Sequence, residues 1–509
     1  LYLLGITAIG VWTYKKIHDT GSFFMGGRGF GKILTIAHSF GAGTHTDQPV
    51  AVTGAAYEVG MAGIWYQFLW LFCTPFYWLL SPIFRRMRYM TTGDFFEQRF
   101  GGNMGVTYAL IGLIYFMINI GLMLKGTATT VEAITSGGIS SMLCIISMTI
   151  MFVIYGMAGG LVAAAITDAI QGLFIIVLSF LLLPFAINAV GGFEALHNQL
   201  PDFMFSLVAK VEVTSFFIVM MVINGLVGIV VQPLHMAVCS SGKTEFSCRV
   251  GWTYGNFIKR FCIIGWAYVG VCAAVLFPHL THANREMAFG LLVTNLLPSG
   301  LVGLMVASML AAVMSTCDAF MVDGAALFTR NFYQRKFKTD GTDAHYLKVA
   351  RLSSLIIVVG GLIIALTLPN VVRGILMLLK VTAFFGISFW LGVIWKRANR
   401  YGAWASFLIS SGVWAIMISW NHIMDFLLNT GIISGQSHFF SPDFKFTDAL
   451  QMAIYLPLGF ITMIVVSLFT RPEPKEQIHK FFSLLHTPVG EEKKLKEAGI
   501  EMIYEGESS

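Results

Sequence analysis

Residues 39–49 read SFGAGTHTDQP, and this polar stretch interrupts a chain that is otherwise strongly apolar. Two threonines, a histidine, an aspartate and a glutamine follow a glycine pair, with apolar segments on both sides. Of the 509 residues, 56% are hydrophobic and only 12% are charged, and the mean hydropathy is +0.73. An ordinary soluble domain has about twice that charged fraction, so the composition excludes a soluble fold.

Apolar segments of about twenty residues recur along the whole chain, and a helix of that length crosses roughly 30 Å of hydrocarbon. A transmembrane barrel would instead show short strands of alternating polarity. The sequence therefore predicts an all-α membrane protein with about thirteen transmembrane helices. The predicted spans are 1–14, 33–57, 61–83, 104–135, 139–157, 161–189, 214–239, 256–280, 288–329, 348–368, 372–395, 402–420 and 448–470.

Clusters of lysine and arginine follow the predicted helices in alternation, beginning at Lys15, Arg85, Lys243, Arg330 and Lys396. Basic loops stay on the cytoplasmic side of a membrane. This pattern predicts a multi-pass protein of the plasma or inner membrane, with the N-terminus outside and the C-terminus in the cytoplasm. Residues 471–509 mix charge with a short apolar face, which predicts a cytoplasmic amphipathic tail on the bundle or on the membrane surface.

Two features recur five segments apart. Segments 104–135 and 288–329 are longer than a crossing needs, and the glycine-rich runs GAG (41–43) and NGLVG (224–228) interrupt the second and seventh segments. Because five is odd, the two copies have opposite orientations, as in secondary transporters whose broken helices offer backbone carbonyls to ions and substrates. The alternative is that the glycines only allow close helix packing.

The predicted organisation has four parts: an N-terminal peripheral helix and loop (1–32), a transport core (33–395), peripheral C-terminal helices (396–470) and the tail (471–509). The core divides into repeats 33–189 and 214–395. GGRGFGKI at 26–33 approaches a phosphate-binding loop, but Ile33 replaces the hydroxyl residue that binds Mg²⁺. We therefore reject a nucleotide site and predict a transporter that is not an enzyme and has no nucleic-acid partner.

Two motifs place polar groups inside predicted spans. YGMAGGLVAAAITDAIQ (155–171) contains Asp168, and an uncompensated carboxylate in hydrocarbon costs at least ~2.5 kcal/mol. VASMLAAVMSTCDAFMVDGAALFTRNFYQ (306–334) sets Ala312, Ser315 and Thr316 on one helical face. Two hydroxyls and a free carbonyl are hard oxygen donors without net charge, which suits a monovalent cation.

Together with FWLGVIWKRANRYGA (389–403), these motifs resemble the sodium:solute symporter family, whose members carry sugars, proline, sialic acid, choline and monocarboxylates. MTTGDFFEQRFG (90–101) and FFMGGRGFGK (23–32) resemble further segments of the family, so the resemblance covers about residues 23–420. It implies a LeuT-like core of five-plus-five inverted repeats, Na⁺-coupled alternating access in the lipid bilayer, and a monomeric transport unit.

The resemblance also implies an ion site. The Na⁺ ligands would be the backbone carbonyls of Ala42, His45 and Ala312 and the hydroxyls of Ser315 and Thr316. Asp168 resembles the family's acidic residue on the cytoplasmic exit path of the ion, and the alternative is an acid satisfied by backbone at a helix start. His45 departs from the family, where an aliphatic residue is usual, but only its carbonyl is required.

The solute pocket is less well defined. Family positions imply a set of polar residues, namely Thr46, Asp47, Gln48, Gln67, Lys125, Gln232 and Lys380. Lys125 and Lys380 lie well inside predicted spans, where two ammonium groups would attract an anionic solute. Alternatively, either lysine snorkels outward or pairs with Asp47. Lys259 lies near the predicted cytoplasmic face, and we interpret it as an interfacial anchor.

The sequence thus predicts a symporter that imports a small organic solute with Na⁺, an acidic solute being favoured over a sugar or polyol. One Na⁺ moving down a tenfold gradient releases about 1.4 kcal/mol, and a potential of 100 mV adds about 2.3 kcal/mol. A single ion is therefore enough for accumulation. A membrane-embedded sensor and a channel are the alternatives, and the short tail after residue 470 argues against a sensor with a kinase module.

Overall fold

The computed structural model of the chain describes residues 19–210, 212–282, 284–367, 371–430 and 444–504, and most of these residues are helical. In the first half, the α-helices are α1 Thr20–Met25, α2 Lys32–Gly43, α3 Asp47–Val59, α4 Trp65–Phe68, α5 Trp70–Cys73, α6 Tyr77–Met87, α7 Thr92–Phe100, α8 Gly102–Ile134, α9 Ser141–Phe180, α10 Leu182–Ala189, α11 Gly192–Gln199, α12 Ser215–Gly228 and α13 Leu234–Ser240.

The second half continues with long helices. They are α14 Glu245–Leu276, α15 Ala288–Leu296, α16 Ser299–Ala326, α17 Gln334–Lys336, α18 Asp343–Thr367, α19 Val371–Ile394, α20 Arg400–Ile418, α21 Trp420–Asn429, α22 Asp448–Phe469, α23 Lys475–His486 and α24 Glu492–Glu497. Shorter 3₁₀ turns and one π-helical turn join them, at Gly26–Arg28, Gly60–Ile64, Thr74–Phe76, Asp202–Phe205, Ile229–Val231, Arg285–Met287 and Leu327–Tyr333.

By length and composition, nine helices of the described residues are able to cross a membrane, or ten if the bent pair α12–α13 counts as one span. This number is smaller than the thirteen predicted from the sequence. Residues 1–14 lie outside the described residues, and the run Asp47–Met87 counts as one span. The predicted span 139–157 falls in the first part of the 40-residue helix α9, which is kinked at Gly160.

Two helix interruptions lie in the segments that the sequence singled out as broken. The first interruption separates α2 from α3, where Thr44 has extended backbone with φ −115° and ψ 102°. The second separates α12 and its following 3₁₀ turn from α13, where Gln232 is extended and the axis bends by 64°. Pro233 follows Gln232, and its missing N–H favours a break at this point.

The second interruption differs from the predicted one, because the glycine run 224–228 is helical in the structure. Its glycines allow close packing: a Cβ on Gly225 would lie 2.7 Å from Leu69 Cδ1, and one on Gly228 would lie 2.7 Å from Thr382 Oγ1. For this run the packing alternative is therefore correct. The break lies at Gln232–Pro233.

The tail docks on the ends of the bundle helices. Arg88 is fully buried, and its guanidinium donates to the carbonyls of Thr487 and Pro488 at 3.2 and 2.9 Å and to Glu492 at 2.8 Å. The apolar face of α23 buries Phe481, Phe482, Leu484 and Leu485. The amphipathic pattern therefore covers a protein surface.

Candidate functional site

Gly41, Asp168 and Ser315 bring α2, α9 and α16 together beside the first helix break. The Ser315 hydroxyl donates to Oδ1 of Asp168, and both side chains are fully buried. A Cβ on Gly41 would lie 2.9 Å from both Asp168 Cβ and Ser315 Oγ. Only a glycine allows the backbone of α2 to approach these groups so closely.

The Thr316 hydroxyl lies between two backbone carbonyls, 3.4 Å from the oxygen of Gly41 and 3.3 Å from that of Ala312. Thr316, Ala312 and Ala42 are all fully buried. Four residues that the sequence assigned to the Na⁺ route, Ala312, Ser315, Thr316 and Asp168, thus lie together, next to the segment that contains Ala42. These uncharged oxygens around a single carboxylate form a donor set that fits a small monovalent cation.

His45 lies on the other side of the break. Its carbonyl accepts the backbone N–H of Gln48 at 3.3 Å, in the first turn of α3. Its imidazole packs edge-on against Phe320 with ring centroids 5.4 Å apart, and Nδ1 lies 3.5 Å from Asp47 Oδ1. The imidazole therefore faces Asp47 and Phe320. On α2, the carbonyl that accepts from the Thr316 hydroxyl is that of Gly41.

The sequence reasoning missed His38. Its Nδ1 lies 2.6 Å from Asp168 Oδ2, and both side chains are fully buried. Asp168 is therefore held by the side chains of His38 and Ser315, which rules out the alternative of an acid satisfied by backbone. The signal was present, because Thr35, His38, Ser39 and Ala42 follow the spacing of one helix face, and all four are buried.

A cavity lies between the two helix breaks. Four residues of the predicted solute set line it, and these are Asp47, Gln48, Gln67 and Gln232. Thr46 is not among the lining residues; its hydroxyl accepts from Thr127 of α8 at 2.7 Å. The cavity wall therefore combines α2 and α3 with α13 and α14.

The structure does not bring the two predicted anion-binding lysines to this cavity. The Lys380 ammonium donates to Asp448 and, at 2.7 Å, to Gln451 Oε1, both on α22. This is a structural bridge of the kind considered above, although its carboxylate is Asp448 and not Asp47. Lys125 is half-buried, and it is absent from the described lining residues.

Lys259 and Arg260 line the cavity instead, which corrects the interpretation of Lys259 as an interfacial anchor. The sequence placed the start of this span at residue 256, but α14 begins at Glu245, so both residues lie halfway along the helix. Lys259 is 7% exposed, and its ammonium donates to the carbonyl of Gly43 at the end of α2. Arg260 is 3% exposed, and it donates to Thr74 at 3.3 Å and to Asn256 at 3.2 Å.

Aromatic rings cover the wall beside the second break, and sequence reasoning missed these residues as well. Tyr77 and Trp252 stack with ring centroids 4.1 Å apart, and His235 lies 4.8 Å from Trp252. The Nδ1 atom of His235 lies 2.8 Å from the carbonyl oxygen of Ile229, in the 3₁₀ turn that precedes the break. The proline break thus positions His235 against an aromatic surface.

Comparison with known proteins agrees with this architecture. The model of the sodium:solute symporter family matches residues 23–410. The osmoregulated proline transporter OpuE of Bacillus subtilis is 24% identical over 95% of this chain and 96% of its own length. The sodium/pantothenate symporter of Haemophilus influenzae is 26% identical, over 82% of this chain and 89% of its own.

A solved structure of a Na⁺-coupled sialic acid symporter, in a substrate-bound outward-open state, has a similar fold. The TM-score is 0.74, and the match covers 92% of this chain and 97% of the other. Sequence identity is 17%, so this likeness concerns the fold alone.

Proposed function

The chain belongs to the sodium:solute symporter family, and on that premise we propose that it imports a small organic solute with Na⁺ by alternating access. In this proposal the core consists of five-plus-five inverted repeats, 33–189 and 214–395, within about thirteen spans. The two helix breaks support it, because each lies near the start of one repeat. Discontinuous helices at matching positions of the two halves are typical of such transporters.

The observation that carries the proposal is the meeting of the first break with Ser315, Thr316 and Asp168. The end of α2 presents backbone carbonyls, and the C-terminal end of a helix carries partial negative charge. We assign Na⁺ to the carbonyls of Ala42, His45 and Ala312 and the hydroxyls of Ser315 and Thr316. Asp168 then holds the Ser315 hydroxyl and receives the ion on its way to the cytoplasm.

The ligands of this site come from different helices, and that gives ion binding a mechanical consequence. Bound Na⁺ holds the broken segment of α2 against α16, and its release lets the two separate. A ligand shifts a conformational equilibrium only by its difference in affinity for the two states. Solute binding in the adjacent cavity contacts the same broken segment through Asp47 and Gln48, so the ion and the solute stabilise one arrangement together.

For the solute, we favour an acidic molecule, and a sugar or polyol is the second candidate. The second candidate is supported by the carboxamides of Gln48, Gln67, Gln232 and Asn256, which line the cavity and are suited to bind hydroxyl groups. A solute sensor without transport is the alternative of another class. We further propose a monomeric transport unit in the plasma or inner membrane, with the N-terminus outside and the C-terminus in the cytoplasm.

Thermal unfolding and uptake test this function together. Purified protein in Na⁺ or K⁺ is screened with sugars, amino acids and organic acids, because a ligand stabilises the folded state by mass action. We expect a solute that raises the unfolding temperature more in Na⁺ than in K⁺, and saturable Na⁺-driven uptake of that solute into proteoliposomes. Stabilisation by a solute with no Na⁺-driven uptake would favour the sensor, and uncoupled conductance would favour a channel.

A further inference from the structure

We propose that Arg260 forms a carboxylate subsite in the central cavity, so that the cotransported solute carries one carboxylate group. This inference rests on the proposed symport function and names the chemical class of its solute. In this proposal the acidic group of the solute binds to Arg260, and not to Lys125 and Lys380, the lysines from which the sequence suggested an acidic solute.

The first observation is an unsatisfied guanidinium. Arg260 is 3% exposed and lies halfway along a 32-residue helix. Its Nε and Nη2 atoms donate to Thr74 and Asn256, and the Tyr77 hydroxyl lies close to the guanidinium, whereas Nη1 is buried without a hydrogen-bond partner among the described residues. A buried donor without a partner costs about 1–3 kcal/mol. A solute oxygen in the cavity would supply the missing acceptor.

The second observation is the charge balance of the cavity wall. Among the described lining residues, the cations are Lys259 and Arg260, and Asp47 is the one carboxylate. Neither cation has an ion pair within 4.0 Å in the described parts of the chain. One positive charge is therefore uncompensated in a buried site, where an unpaired charge is expensive. A monoanion neutralises it.

The third observation concerns the shape of the anion. The planar guanidinium presents a fork of N–H donors that matches the two oxygens of a carboxylate. Trp252 also lines the cavity, and its indole Nε1 is a second buried donor without a partner in the described residues. The stacked rings of Tyr77 and Trp252 provide an apolar surface for the carbon skeleton. Beside the first break, Gln48 Oε1 is a buried acceptor without a partner, suited to a hydroxyl or amide N–H of the solute.

The test compares carboxylates with neutral analogues of the same shape. Thermal unfolding in Na⁺ is measured with lactate, benzoate, nicotinate and pantothenate, and with lactamide, benzamide, nicotinamide and panthenol. We expect at least one carboxylate to stabilise the wild-type protein and to bind ~30-fold or more tightly than its neutral analogue. This ratio corresponds to the loss of one partner of a buried charge pair.

Variants assign this preference to Arg260. Arg260→Gln should weaken binding of that carboxylate ~30-fold or more, and Arg260→Lys should have an intermediate effect because it keeps the charge and loses the fork. Arg249→Gln removes a positive charge from the first turns of the same helix, outside the cavity, and should leave binding unchanged. Without ligand, Arg260→Gln should unfold at or above the wild-type temperature, since the substitution removes an uncompensated charge.

Three results would overturn the subsite: no carboxylate of the panel stabilises the protein, neutral analogues bind wild type equally well, or Arg260→Gln retains wild-type affinity. The comparison of carboxylates with neutral analogues uses the wild-type protein alone. It can therefore overturn the proposal even if an Arg260 variant folds poorly. If Na⁺ alone still stabilises the protein and a neutral solute is taken up with it, the subsite fails while the symport function stands. If neither Na⁺ nor any solute has an effect, the proposed function fails first.

Discussion

Each of the two helix breaks contains extended backbone between two helical segments, but the surroundings of the two breaks differ. Just before the first break, at Thr44–Thr46, the last turn of α2 packs through Gly41 against Asp168 and the hydroxyls of Ser315 and Thr316. The second, at Gln232–Pro233, lies against the rings of His235, Trp252 and Tyr77. A broken helix alone therefore does not say what it binds. The neighbouring side chains decide, and here they suit a bare cation at one break and an organic solute at the other.

The causes of the two breaks also differ. At the second, a proline removes a backbone donor. At the first, α2 continues through Gly43, and the Thr44 hydroxyl then donates to the carbonyl of Phe40 at 2.7 Å. The glycine at 41 serves the close approach of three helices. This difference gives each break its own test.

The largest effect is expected at Gly41. Gly41→Val places atoms within the space of Asp168 and Ser315, and overpacking of this kind costs about 1–3 kcal/mol. We expect complete loss of Na⁺-stimulated uptake, because α2 moves away from α16. The control is Gly43→Ala, where an added Cβ meets nothing within 4 Å. Normal Na⁺-stimulated uptake by Gly41→Val would show that the close approach of α2 to α16 at Gly41 is not needed for ion binding.

The pair of His38 and Asp168 gives the next effect. Asp168→Asn leaves His38 and Ser315 with a weaker partner, which should cost about 1–3 kcal/mol of stability. A double-mutant cycle with His38→Ala, read by unfolding of the purified protein, should give a coupling energy of about 0.5–3 kcal/mol. Additive effects would mean that the 2.6 Å contact contributes nothing specific.

A smaller effect is expected at the second break. Pro233→Ala restores a backbone N–H and lets α12 and α13 straighten, which displaces His235 from Trp252. We expect about tenfold weaker solute binding, equivalent to about 1.4 kcal/mol, with Na⁺ stabilisation unchanged. Pro457→Ala, at a proline inside α22, is the matched control. Loss of Na⁺ stabilisation in Pro233→Ala would contradict the division of labour between the two breaks.

The docked tail packs on α6 and α7 and should matter least. Arg88→Met removes the donors that hold residues 487, 488 and 492, so limited proteolysis should cut the tail faster while Na⁺-driven uptake changes by less than about twofold, the size of a weak surface interaction. A large loss of uptake in Arg88→Met would instead connect the tail to transport.

The docked tail should also respond to pH. Burial alone would raise the pKa of Glu492, but its backbone hydrogen bonds and Arg88 hold that pKa below the ordinary 4.5. A carboxyl with a lowered pKa stabilises docking above its ordinary pKa, and the stabilisation is lost as the pH falls through the lower, folded value. Proteolysis of the wild-type tail should therefore accelerate below about pH 4.5, and Glu492→Gln should reduce this dependence, because Glu245 also holds the tail by accepting the backbone N–H of Val489 at 2.9 Å.

The sequence was sufficient for the features that depend on local pattern. Apolar segment length predicted the helical membrane fold, and the polar run 44–48 marked the first break within a few residues. The hydroxyls of Ser315 and Thr316 on α16 were predicted because these residues lie three and four positions after Ala312, on the same side of the helix. These features can be predicted from the sequence because each depends on residues that are close together in the chain.

Features that depend on contacts between distant segments were not readable. Lys380 and Lys259 are both lysines in apolar surroundings, and only the fold shows that Asp448 neutralises the first while the second reaches the end of α2. The early start of α14 at Glu245 moved Lys259 and Arg260 to mid-helix. For the second break, the prediction relied on the glycine run, whereas the residue that marks the break is Pro233, eight residues after Gly225.

Binding of radioactive Na⁺ to the purified protein tests the central claim, that the end of α2 and the hydroxyls of α16 form the ion site. Wild type and Ser308→Ala, which removes a buried hydroxyl of the same helix bonded to the carbonyl of Leu304, should bind Na⁺ saturably. Ser315→Ala with Thr316→Val should show no saturable binding while its unfolding temperature in Na⁺-free buffer stays close to that of the wild type. Wild-type Na⁺ affinity in the folded double variant would contradict the account.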